Sequence, residues 1–167
     1  FNEIGISTLG SPVIDQSVQQ FGEQAINVLW ENQHHQIPED WYRLSQVKGR
    51  VLFQLTTAFD EIKNRGSIIT PLIFSQPFPS TWQEANWDGV IAGKVTFDEK
   101  LDKKGPTALA VSVVRPDLKQ LILLGTDRIW INGLKNYPAN FTLGLNIIKT
   151  LINDQTASAD SSIVLRE

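Results

Sequence analysis

The residues able to do chemistry are few and scattered. Asp127 follows "QLILLGT", so an acid sits at the end of a strongly apolar strand candidate. Ligands enter open α/β sheets at such a place when the strand lies at a topological switch point. The commoner role of an Asp there is to hydrogen-bond its own turn, and a single acid without a partner favours that role. A divalent metal shared with Asp98 or Asp102 is the alternative, and would make the chain a metal-dependent hydrolase or a small-ligand sensor working through the Asp127 loop. Asp98, Glu99 and Asp102, however, belong to "FDEKLDKK", a Lys-rich stretch that reads as a solvated turn rather than a dry acid-base site.

His34 and His35, flanked by Glu31, Glu39 and Asp40, form the one grouping of metal-ligand types. Adjacent histidines diverge, and past a helix end they serve the helix dipole, so a structural role is preferred and no metal is expected. No G-x-S-x-G elbow is present, and the absence of cysteine excludes thiolate nucleophiles, disulfides and zinc-thiolate sites. Gly125 and Gly133 are separated by the bulky Arg128-Ile129-Trp130, and the next helix candidate opens only near Asn140, so no phosphate-cradling loop is present and no nucleotide cofactor is expected. Asn140-Phe141-Thr142 has the form of a glycosylation sequon but opens a helix that must be buried. Phe78, Trp82 and Trp87 lie in a Pro-rich stretch; such rings either form a peptide or sugar platform or fold over the core as a lid.

The elements that must position these groups follow from periodicity. Ser11 and Pro12 read as the cap and first residue of a helix reaching about Asn32, with apolar positions at Ile14, Val18, Phe21, Ala25, Ile26 and Leu29. "RVLFQLT" reads as a strand, "AFDEIKN" as a short helix ending at Gly66, and "SIITPLIF" as a strand whose Pro71 implies an edge or a bulge. "SQPFPSTWQEANWDG" reads as a stiff aromatic loop, "VIAGKVTFD" as a strand, and "TALAVSVVR" as a central strand buried on both faces. "KQLILLGT" should pair with it as an antiparallel hairpin through "RPDLK". "PANFTLGLNIIKTLIND" reads as a strongly buried helix, with Phe141, Leu145, Ile148 and Ile152 on an apolar face widened by Leu143, Ile147 and Leu151; "SIVLR" is a last strand candidate.

From Ser67 onward, five blocks fall in a distinctive order: "TPLIFSQPFPSTW", "LDKKGPTALAV", "LILLGTDRIWING", "ANFTLGLNIIKTL" and "SSIVLRE". Their order and spacing resemble the auxiliary component of the uncharacterised ABC transport system associated with gliding motility, a family with a glutamine-amidotransferase-like domain. Where that family shows a Gly-Asp-Ser-Asp strand end, this chain has Gly125-Thr126-Asp127-Arg128, and Ala139 stands where the family has Gly before the helix Asn. The resemblance implies a non-catalytic extracytoplasmic (periplasmic) domain of a bacterial membrane protein. It would be anchored by a transmembrane helix beyond the tail and would work beside the membrane and ATPase subunits of an ABC transporter.

Length and composition agree with one α/β domain spanning residues 1–167. The 167 residues can bury a three-layer core, 41% are apolar and 20% charged, and the net charge is -3 from 15 basic and 18 acidic residues without like-charge blocks. That pattern argues against a nucleic-acid partner or a polybasic membrane patch. A start on Phe1 and the absence of Met read as a soluble piece excised from a larger protein. The expectation is a three-layer α/β fold of mixed, partly parallel sheet with flanking helices, like amidotransferases or flavodoxin. Thr126, Asp127, Arg128, Asn132, Asn140, Phe78, Trp82 and Trp87 are the candidate contacts for a partner, small ligand or peptide. A domain that merely spaces or dimerises its parent is the remaining reading.

Overall fold

The computed structural model describes residues 2–8, 10–32, 41–61, 66–117, 119–131 and 136–160. Ten strands are found there: β1 (Ile6–Ser7), β2 (Val13–Asp15), β3 (Asn27–Glu31), β4 (Arg50–Gln54), β5 (Asp60–Glu61), β6 (Ile68–Phe74), β7 (Thr81–Gln83), β8 (Lys103–Lys104), β9 (Ala108–Arg115) and β10 (Lys119–Leu124). Short helices α1 (Tyr42–Ser45) and α2 (Trp87–Ile91), the long α3 (Pro138–Asp160), and 3-10 turns at Asn2–Ile4 and Gln16–Phe21 complete it.

Every strand pairing is antiparallel: β10-β9-β6 and β2-β7-β8 form three-stranded sheets, and β3-β4 and β1-β5 two-stranded ones. The expected three-layer α/β fold with partly parallel sheet is therefore wrong. Parallel neighbours need long crossovers, usually helical, and among the described residues the first expected helix and the start of the second are strands and turns. In place of one helix from Pro12 to Asn32 stand β2, the 3-10 turn and β3. Asp15 accepts hydrogen bonds from Ser17 N (2.9 Å) and Leu29 N (3.3 Å), and Gly22 at φ 78 closes the turn. An Asp competing for nearby backbone and a left-handed Gly both break a helix, while Val28, Leu29 and Trp30, buried on successive positions, form a strand covered on both faces. Asp60 and Glu61 of the second expected helix pair with Ser7 and Ile6.

The hairpin of β9 and β10 is as expected, from Lys119 opposite Arg115 to Leu124 opposite Ala110. So is the edge strand β6, whose register shifts beside Pro71. Strand β9 is central and serves two cores: Leu109 and Ala110 join Trp30, Phe53, Leu72 and Leu143 in the main one, and Val111 and Val113 join Ile6 and Phe59 in the second. The stretch expected as an aromatic loop carries β7 and α2 instead, and "VIAGKVTFD" is no strand, because Val90 and Ile91 end α2 and Gly93 at φ 67 turns the chain away. Helix α3 is present but only half as expected: Leu143 and Ile147 are buried, whereas Phe141, Leu145, Ile148 and Ile152 face outward. The "SIVLR" strand candidate lies outside the described residues, as do Asn132, His34 and His35.

Candidate binding cleft

A concavity of about 600 Å³ lies among the 3-10 turn, the approach to β3, the end of β4 and α2. That volume suits a small ligand. Its apolar wall comes from Ala25, Ile26, Leu55, Trp87, Val90, Ile91 and Val95, and its polar side chains are Gln19 and Gln24. No lining side chain is ionisable.

Local sequence explains each wall. Gly22 caps the 3-10 turn by donating to Gln19 O at 3.0 Å, which sends Gln24 to Ile26 back along the cleft towards β3. Asn86 caps α2 by accepting from Gly89 N at 3.0 Å. A Cβ at Gly89 would lie 2.7 Å from Lys94 O, so only glycine lets the chain fold back there, and Lys94 N donates to Gly89 O at 2.8 Å just before Val95. Leu55 is the one non-glycine residue of positive φ, 46°, among those described. That geometry costs about 1–2 kcal/mol for an L residue. It is held from both sides: Thr126 Oγ1 donates to Gln54 O at 2.6 Å, and Val13 N donates to Thr56 O at 2.7 Å.

The candidates read from sequence fall in different places. Trp87 is an exposed wall of the cleft. Trp82 is buried in β7, its indole donating to Glu84 Oε2 at 3.1 Å, and with Phe97 it forms an edge-on pair at 6.1 Å. Phe78 packs against Phe97 at 4.7 Å with the rings tilted by 53°, and Lys104 Nζ lies 5.3 Å from the Phe78 ring. The Trp82 end of the aromatic group is thus core, the lid of the two alternatives, and Trp87 stands apart from it. Asn140 is buried, accepting from Leu52 N at 2.9 Å and donating to Leu52 O and Ile129 O at 2.8 Å each. Thr126 is taken up by Gln54 O and by Arg128 N, which donates to its hydroxyl at 3.1 Å.

Asp127 is 95% exposed beside Arg128, 4.0 Å away, on a loop after an antiparallel strand rather than in a parallel-sheet crevice. Asp98 and Asp102 serve their turn: Asp102 accepts from Asp98 N and from Ala85 N, and Asp98 from Lys100 N. Among the described residues no group of three His, Asp or Glu is placed to hold a metal. One carboxyl has a shifted pKa in a buried setting: burial pushes Asp15 up, against the lowering effect of its bonds from Ser17 and Leu29. Burial and the bond to Glu23 Oε1 (2.7 Å) also push the Tyr137 phenol up to about 12. Both fix structure, with Asp15 joining β2 to β3 and Tyr137 tying the approach of α3 to the loop before β3.

Sequence reasoning missed Leu55, Ile26, Val90 and the glutamines. The legible signal was the cap pattern "NWDG", which marks α2 and so separates Trp87 from the Trp82 core. Comparison with family models, curated proteins and solved structures gives no match at any of the three levels.

Proposed function

We propose that this chain is a non-catalytic binding domain whose cleft takes a neutral, largely apolar small ligand. The observation that carries the reading is the lining: seven apolar side chains and two carboxamides around about 600 Å³, with no acid, base or nucleophile. Burying an unpaired charge against such walls is costly, so ionised ligands are disfavoured. The two carboxamides of Gln19 and Gln24 supply donors and acceptors that orient a polar end. Held strain at Leu55 fits a preformed site.

The test uses a neutral, polarity-sensitive dye as the probe. Saturable one-to-one binding is expected, weakened at least tenfold by Ile26→Glu and by Trp87→Ala, with melting of both variants checked. Unsaturable binding, or binding indifferent to both substitutions, sinks the proposal. A place beside ABC-transporter membrane and ATPase subunits, on the extracytoplasmic face of a bacterial membrane, is supported only by the order of the five sequence blocks, since the fold that accompanied the resemblance is overturned. Co-purification of the protein with such subunits is the check, and its failure would leave the cleft proposal standing.

A further inference from the structure

Helix α3 carries two apolar stripes. At 3.6 residues per turn, Ala139, Leu143, Ile147 and Thr150 lie on the side facing the body, where all four are buried. On the opposite side Phe141, Leu145, Ile148 and Ile152 are 68%, 39%, 51% and 56% exposed. Trp130 adds a shoulder to this outer stripe: its indole donates to Asn140 O at 3.0 Å, and its ring lies so close to Gly144 that a Cβ there would come within 2.5 Å of Nε1.

We propose that the outer stripe of α3 is a homodimer seam, covered by the same stripe of a second copy of this chain. The spacing of Phe141, Leu145, Ile148 and Ile152 is four, three, four, the alternation of the two core positions of a heptad, which matches a partner helix of like period. A single helix packed only on its own domain has no use for a second stripe at that period. Charge fits self-association: between Phe141 and Ile152 the one ionisable residue is Lys149, so two copies meet without a block of like charge. Area fits as well. At roughly 150–250 Å² for a large side chain, the four residues and Trp130 expose about 500 Å². Two copies would then bury about 1,000 Å², the lower bound for a specific interface. The stripe is independent of the cleft, whose lining includes none of these residues.

The test is light scattering on the whole chain across a concentration series, with circular dichroism to confirm folding. A concentration-dependent dimer is expected, and Leu145→Asp with Ile148→Asp should weaken it at least about 100-fold without loss of helix content, whereas Lys149→Glu should leave a dimer. Because the chain has no cysteine, Ile148→Cys, alone or mixed with Leu145→Cys, gives an independent readout: oxidation should yield a covalent dimer. A monomer at about 100 μM, or a dimer untouched by the double substitution, overturns the proposal.

Discussion

Removing the Asn140 side chain should cost more than any change on the surface of α3, because its amide replaces a missing strand. In an antiparallel pair the backbone groups of alternate residues point away from the partner, and Leu52 of β4 turns its N–H and C=O toward α3. Asn140 answers both, and its second amide proton reaches Ile129 O, so one side chain joins β4, the segment after β10 and α3. Each such bond is worth about 1 kcal/mol net, and each buried backbone group left without a partner costs about 1–3 kcal/mol. Asn140→Ala should therefore lose about 3–5 kcal/mol, lowering Tm by roughly 10 °C at ~2–4 °C per kcal/mol for a chain of this size. Asn140→Asp should not rescue it at neutral pH, since it sets a carboxylate against two carbonyls. Thr142→Ala, two residues along and exposed, should stay within about 0.5 kcal/mol. Urea unfolding followed by tryptophan fluorescence measures all three. A loss below about 1 kcal/mol for Asn140→Ala would refute the claim that this amide satisfies groups no water can reach.

Two further outcomes are expected. The buried Asp15 carboxyl titrates above its ordinary 3.8, so between those values the native state holds more protons than the unfolded chain, and its contribution to stability is greatest below the unfolded value and falls as pH rises through the folded one. The stability of the parent chain relative to Asp15→Asn should accordingly shrink from acid to neutral pH, and a difference that does not vary with pH counts against burial as the cause. Gly125→Ala should cost at least about 2 kcal/mol, because a Cβ there overlaps the Thr57 backbone carbonyl, whereas Gly10→Ala, with nothing within 4 Å, should cost only about 1 kcal/mol from its φ of 68°; equal losses on urea unfolding would show that space is not what constrains Gly125.

The parts of the fold legible in the sequence were those whose signal is local. Strand β9 is a run of largely apolar residues with Val111, Val113 and Val114, its turn to β10 contains Pro116, and Pro71 marks the edge position of β6. The stretch from Pro12 to Asn32 misled because its apolar spacing fits a helix and also fits two short strands around a turn. The bond from Asp15 to Leu29 N, which separates the two, spans 14 residues and has no local signature. The site was harder still. Of the seven singled-out residues that are described, Trp87 alone lines the cleft, while Asn140 and Trp82 are buried and held by hydrogen bonds.

Composition and periodicity were enough to exclude thiol chemistry and a phosphate loop and to place the β9–β10 hairpin and helix α3, because each depends on residue types or on neighbours a few positions apart. Which face of α3 is buried, whether the sheets run parallel, and that Leu55 and Trp87 line one cleft were decided by contacts between distant segments. A side chain's period states that it has an apolar face, and only the packed chain determines what, if anything, covers that face.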